Sequence, residues 1–368
     1  MSAGFAAADV SVSGDGRMGI VSTDGATTFS NRMRINFSGS GTTDAGLSFG
    51  GSFRAADASN AGSGTKGSVF LSGAFGKITM GDVGGGDSES VGQLAAVGYT
   101  GLGSTNSINY ASDGFDGFGL VASSTTVDNV DDAGGAKVLY TYAANGLSLN
   151  VSTAQLSNTA TDRTAFGVGA AYTTGALTVA VGYGDTDIQL GNIQVYTADA
   201  DGTGNGTADG IEVVGGFTGS VTDTSVSATY VMGATTIKAI YQDKQLDVSR
   251  AASLVDGAVG AVAATTNTLS ATSMGLSVAH KMDALTLKAF SVSTTVDTSL
   301  ASTDATVSRY GVGAAYDLGG GAVLNAGWVS VDTPAIAAAT AVANGAVTRG
   351  AASTSSKNVF DVGVNFSF

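Results

Sequence analysis

The sequence predicts an all-β chain, a transmembrane antiparallel β-barrel with short turns at one end and long loops at the other. Three observations carry this. Alternating strands recur as tight hairpins along the chain. A tyrosine stands just before the tight turn in hairpin after hairpin. The last eight residues, "DVGVNFSF" (361–368), form a bare alternating strand that stops on an aromatic side chain.

Composition frames the reading. Of 368 residues, 55 are Gly, 1 is Pro and none is Cys. Hydrophobic residues make up 43%, yet no run of about 18 apolar residues exists, so a membrane-spanning helix is excluded. Charged residues are only 12%, low for a water-exposed surface of this size. The lack of Cys removes disulfides, thiolate metal sites and thiol nucleophiles. The net charge of −14 argues against a nucleic-acid partner. Residues 1–8 read as a leader remnant or tail, because "GFAAAD" resembles a cleavage site and no basic, apolar leader precedes it. Residues 9–368 then form a single barrel domain.

The hairpins come next. "VLYTYAANGLSLNV" (138–151), "VGAAYTTGALTVAV" (168–181), "VSATYVMGATTIKA" (226–239), "LSVAHKMDALTLKA" (276–289) and "VGAAYDLGGGAVLN" (312–325) share one plan. Each has an alternating strand, a Tyr or His, a turn with Gly, Asn or Asp, and a second alternating strand. The intervals between copies are unequal, which excludes a solenoid. The variation lies in polar connections at about 187–222, 249–266, 298–305 and 333–356. Short turns at one end and long loops at the other mark a membrane barrel. Tyr142, Tyr172, Tyr230 and Tyr316 would ring it at one height as an aromatic girdle. The single His, His280, occupies the same position, which leaves no base for Ser–His–Asp chemistry.

Strand faces agree. Arg32, Arg34 and Asn36 alternate with Met33, Ile35 and Phe37, and Ser52 and Arg54 flank Phe53. One face is polar and charged, the other apolar. Lipid offers no partner to an open sheet edge, so the last strand must pair with the first. Val362, Val364, Phe366 and Phe368 then face lipid. Four of the 16 basic residues, Arg17, Arg32, Arg34 and Arg54, share the lumen-facing parity of the first three strands.

"FSNRMRINFSGSGTTDAGLSFGGSFRA" (29–55), "GSVFLSGAFGKITMGD" (67–82), "YGVGAAYDLGGGA" (310–322) and "DVGVNFSF" resemble the general diffusion porins of Gram-negative bacteria, in their Rhodobacter-type branch. The resemblance implies a 16-stranded barrel in the outer membrane, assembled as a homotrimer among lipid and lipopolysaccharide. It implies a third loop folded inward, here 83–105 or on to 135. It also implies that Phe366 and Phe368 belong to a terminal signal read by the barrel-assembly machinery. Asp82 and Glu89 align with acidic residues of that loop, and Asp87 is added by proximity. A direct hairpin count reaches 18 strands if "NSINYAS" (106–112) and "GFGLVASST" (117–125) are both strands; the family pattern implies 16.

The expected function is passive diffusion of small hydrophilic solutes and ions. A basic wall would face an acidic loop across a constriction, and such a field favours small polar solutes. The competing reading is a non-porous barrel that serves as adhesin or anchor through its long loops. No catalytic set is present, and no cofactor is required. "DNVDD" (128–132) supplies oxygen ligands of the kind Ca²⁺ takes.

Overall fold

The computed structural model describes residues 9–56, 63–113, 137–158, 161–190, 193–197, 210–214, 217–250, 265–297, 305–334, 339–343, 346–349 and 354–368. Sixteen antiparallel strands close a barrel. They are β1 (Asp9–Thr23), β2 (Ala26–Thr42), β3 (Ser48–Ala56), β4 (Ser63–Gly73), β5 (Gly76–Gly81), β6 (Lys137–Ala144), β7 (Leu147–Asn158), β8 (Thr161–Thr174) and β9 (Leu177–Leu190). Two short strands, β10 (Ile193–Thr197) and β11 (Gly210–Val214), form a separate hairpin. The wall resumes with β12 (Phe217–Met232), β13 (Thr235–Arg250), β14 (Thr265–Met282), β15 (Leu285–Asp297), β16 (Ala305–Gly319) and β17 (Ala322–Pro334). A second small hairpin, β18 (Ala339–Ala343) with β19 (Ala346–Arg349), precedes the final wall strand, β20 (Thr354–Ser367).

The terminal strand pairs with the first, from Asp15↔Ser367 to Thr23↔Val359. Backbone bonds at Gly14 and Phe368 finish the junction in both directions, at 2.7 and 3.0 Å. The closure inferred from the alternating last strand is thus present. Phe366 and Phe368 stack on each other with ring centroids 6.4 Å apart, on the same outward parity as Val362 and Val364.

Tight turns form where the sequence places residues that accept positive φ. Asn145 (φ 52) and Gly146 (φ 81) join β6 to β7, and Asp283 (φ 48) opens the turn from β14 to β15. The strands run further than polarity suggests. The connection read as 187–222 shrinks to 191–216, because β9 reaches Leu190 and β12 begins at Phe217. The others become 251–264, 298–304 and 335–353. Polar residues such as Asp185 and Asp187 continue the ladder as partners of Thr222 and Ser220. Beyond the lipid both faces of a strand meet water, so polarity does not mark where pairing ends. The loop end is also not uniformly long: Asp24 and Gly25 alone join β1 to β2.

Outer faces carry the apolar residues. Phe29 is 95% exposed, and Val10, Met18, Val69, Leu276 and Val312 are exposed with it. Tyr172, Tyr230 and Tyr316 are exposed on this face beside the tight turns. Tyr142 holds the same place on β6, opposite Leu149.

The alternative of 18 strands is corrected. Residues 106–112 are not a wall strand; they lie inside the barrel and run into a short 3₁₀ turn, Ala111–Asp113. Ile108 and Tyr110 are each 1% exposed while Asn109 between them is exposed, which reproduces a strand's alternation without strand pairing. The segment 117–125 lies outside the described residues, as do 1–8 and 128–132.

Candidate functional site

The barrel's buried core is internal. After β5 the chain turns inward and forms one short helix, α1 (Gly86–Val91), which packs on the inner faces of β7, β8, β9 and β12. The loop then follows the wall towards β20 and returns. Val91, Leu94, Val97, Leu102, Ile108 and Tyr110 pack against lumen-side Ala180, Ile240, Phe290, Val292 and Val329. These wall strands therefore place apolar residues on both faces. The inward ones are there to hold the loop, since burying them removes apolar area that the lumen would otherwise wet.

Polar tethers fix the loop along its length. Gly86 N donates to Ser152 Oγ at 2.8 Å. Lys238 Nζ donates to Val91 O at 2.5 Å, and Ser227 Oγ donates to the same oxygen at 3.1 Å. Lys244 Nζ and Gln242 Nε2 donate to Asn109 O at 2.6 and 3.0 Å. Asp223 Oδ1 accepts Ala111 N at 2.7 Å. Within the loop, Gln93 and Ile108 exchange two bonds of 2.7 Å. Buried polar groups satisfied in this way hold one geometry, because each lost partner leaves a costly orphan.

The loop covers the wall from β7 round to β20. Beyond the edge where Tyr99 and Thr100 reach β1 and β2, the inner wall of β1 to β3 stays uncovered, and the four predicted arginines stand on it. Arg17 and Arg32 are directly opposite across the β1–β2 pair, Asp15 is opposite Arg34, and Asn36 is opposite Arg54. All four arginines are half-buried. Asp15 belongs to this cluster: Arg34 Nη2 lies 2.7 Å and Arg32 Nη2 3.3 Å from its carboxylate. Arg17 reaches across to the loop, donating from Nη1 to Thr100 O at 3.3 Å, with its guanidinium 5.9 Å from the Tyr99 ring centre.

The acidic residues divide. Glu89 is exposed on the free side of α1, followed along the loop by exposed Gln93 and Ala96. Asp82 is exposed where the loop leaves β5. Asp87 does not line the passage. It is fully buried against the wall, accepting bonds from Ser88 N at 2.8 Å and from the Ser112 hydroxyl. On a helical turn Asp87 and Glu89 point to different sides, so proximity in sequence placed Asp87 wrongly. Burial pushes the Asp87 carboxyl above its usual range. For Glu89, desolvation inside the barrel does the same, helped by the nearby Asp113 charge.

Asp113 was missed by sequence reasoning. It is exposed, accepts Gly85 N at 2.5 Å and lies 3.8 Å from Lys137. No motif marks it, since only the fold brings residue 113 back beside α1. Lys238, Lys244 and Asp361 were missed for the same reason. Among the described residues no cluster of three metal-ligating side chains occurs.

A closed membrane barrel with an apolar outer face, a polar lumen and an inward loop defines a transmembrane channel protein. Comparison with known proteins gives the family. The profile described as Gram-negative porin matches residues 1–335. A porin of Rhodobacter capsulatus is 34% identical over 331 residues, which cover 89% of this chain and 95% of that protein. A porin structure refined at 1.8 Å superposes with a TM-score of 0.66 at 30% identity, over 98% of this chain and 100% of the other. The trimer form of OmpT, an outer-membrane protein of Vibrio cholerae, gives 0.66 at 17% identity, covering 98% and 100%, a likeness of fold. The chain belongs to the Gram-negative porin family, and it is an outer-membrane channel.

Proposed function

We propose that the protein passes small hydrophilic solutes and ions passively through a constriction between the arginine wall and the inward loop. The observation that carries this is the placement of the loop. It packs on β7 to β20 and leaves Arg32, Arg34 and Arg54 facing the open lumen, with Arg17 at the border, where it touches Thr100. Glu89, Asp82 and Asp113 supply negative charge on the loop side. Opposed charges across a narrow aqueous gap orient water, which penalises large apolar solutes that replace no hydration. Porin chemistry is filtering, and every role in it is electrostatic or steric.

Three such barrels assemble as a homotrimer on this reading, as in the OmpT trimer form to which the fold is similar. The outward tyrosines 142, 172, 230 and 316 serve as an interfacial girdle, where amphipathic rings suit the boundary of lipid and water. Lipopolysaccharide surrounds the loop end, and the terminal Phe366 and Phe368 address the chain to the assembly machinery. No cofactor takes part in conduction; Ca²⁺ bound by acidic loops would act on stability alone.

Single-channel recording of the detergent-purified protein in a planar bilayer tests the reading, with a reversal potential under a salt gradient. Stepwise openings that close in threes, with mild cation preference, support it. A folded, heat-modifiable barrel that never conducts would overturn it in favour of an anchor or adhesin.

A further inference from the structure

The β1–β20 pairing is unlike every other junction in the wall. All other neighbouring wall strands follow one another along the chain, many through a turn of two residues. β1 and β20 are the two ends of the barrel chain, so their pairing must meet the entropy of closing the whole chain. On the outside, backbone bonds hold it together with the rings of Phe366 and Phe368, which lie over Gly16 and Gly14 of β1.

Two loop residues sit on the inside of this junction and touch three strands. On β20, the fully buried Asp361 takes three bonds from the loop: Tyr99 N at 3.2 Å, Thr100 N at 2.8 Å and Thr100 Oγ1 at 2.6 Å. Asn365 Nδ2 donates to Tyr99 O at 3.2 Å. On β1, Arg17 donates to Thr100 O. On β2, Ser30 O accepts the Tyr99 hydroxyl at 3.4 Å. The ring itself lies over a bare spot. Gly19 and Gly363 are directly paired across the junction, and Gly19 is also the partner of Ser30. A Cβ on Gly19 would come 2.9 Å from Tyr99 Cζ, and one on Gly363 would come 3.0 Å from Tyr99 Cδ2. A glycine pair at this position seats the ring against both backbones; any side chain would lift it away.

We propose that Tyr99 and Thr100 form an internal clasp on barrel closure. The inward loop thus has a second function, fastening the first strand to the last, separate from narrowing the passage. A loop that only filled the lumen would have no need of a buried carboxylate committed to it on the closing strand. Nor would it need a side-chain-free seat spanning the seam.

Hydrogen exchange read by mass spectrometry on the full-length, detergent-purified protein tests this. In Tyr99→Ala, peptides covering 15–23 and 359–367 should exchange about tenfold faster or more, while those of β13 and β14 keep the parent rate. Glu89→Gln, on the same loop but away from the seam, should leave both sets unchanged. Asp361→Asn keeps the shape but turns one of the two accepting oxygens into an NH2 donor, so it cannot hold all three donors at once. It should show the same local pattern at smaller amplitude, and it keeps the test open should Tyr99→Ala fail to assemble. Parent-like exchange at the seam in both variants would overturn the clasp, even with altered conductance. Equal loosening of every strand would also overturn it, since that marks general packing.

Discussion

Arg34 and Asp15 face each other across the first two strands, and the guanidinium closes on the carboxylate. Its Nε lies 2.8 and 2.9 Å from the two oxygens, and its Nη2 lies 2.7 Å from one of them. The same carboxylate takes Arg32 at 3.3 Å. One acid therefore offsets part of the charge of the basic wall and holds two of its arginines in place. Asp15→Asn should raise the relative permeability of anions by about twofold, because it uncovers positive charge in a confined lumen. A reversal potential in a KCl gradient measures this; an unchanged value would mean that Asp15 lies outside the ion path.

Removing the wall should act in the opposite sense. Arg34→Ala with Arg54→Ala takes away two cations and two long side chains from neighbouring positions on β2 and β3. Conductance should rise and selectivity should move towards cations. If both stay at parent values in a protein that still folds as a barrel, these residues do not border the constriction.

Acid should weaken cation preference earlier than an ordinary glutamate would. The Glu89 carboxyl is raised by desolvation and by Asp113. A raised carboxyl takes up its proton while ordinary ones, near about 4.3, are still ionised. As pH falls, Glu89 loses its charge before carboxyls of ordinary affinity do, so cation selectivity should begin to drop above that value. In Glu89→Gln this early step should vanish, leaving selectivity flat across the same window. A titration identical in parent and variant would remove Glu89 from the field.

Loop packing should set channel noise. Leu94 is 3% exposed and lies against the inner wall, in the space above Gly275. Leu94→Ala leaves a void in the internal core and weakens loop attachment by about 2–5 kcal/mol. Open-channel noise and mean conductance should both increase in bilayer recordings, while the wall strands stay folded. A quiet channel of parent conductance would show that the polar tethers alone hold the loop.

Much of this was legible in the sequence because lipid enforces a simple code. Val362, Val364, Phe366 and Phe368 alternate with Gly363, Asn365 and Ser367, and the outward face must be apolar. The same parity set Arg17, Arg32, Arg34 and Arg54 on one face, and the register keeps them together there, on the side from which Arg17 reaches the inward loop. The code fails inside the barrel, where helical geometry and long-range return of the chain take over. Asp87 turned to the wall for that reason, and Ile108 and Tyr110 imitated a strand. Asp113, Lys244 and Asp361 gain meaning only from partners far away in the chain, at Gly85, Asn109 and Tyr99 with Thr100. No local pattern carries that information.

The central claim is that solutes pass between the arginine wall and the free edge of the loop. The chain has no Cys, so single cysteines report without background. The most direct measurement is current block by a charged thiol reagent in Arg34→Cys, Glu89→Cys and Ser225→Cys. Ser225 faces the lumen side of β12 but is 1% exposed beneath the loop. The account predicts a stepwise fall in current for the first two and none for the third. Block at Ser225→Cys with silence at Arg34→Cys would place the passage on the other side of the loop and contradict it.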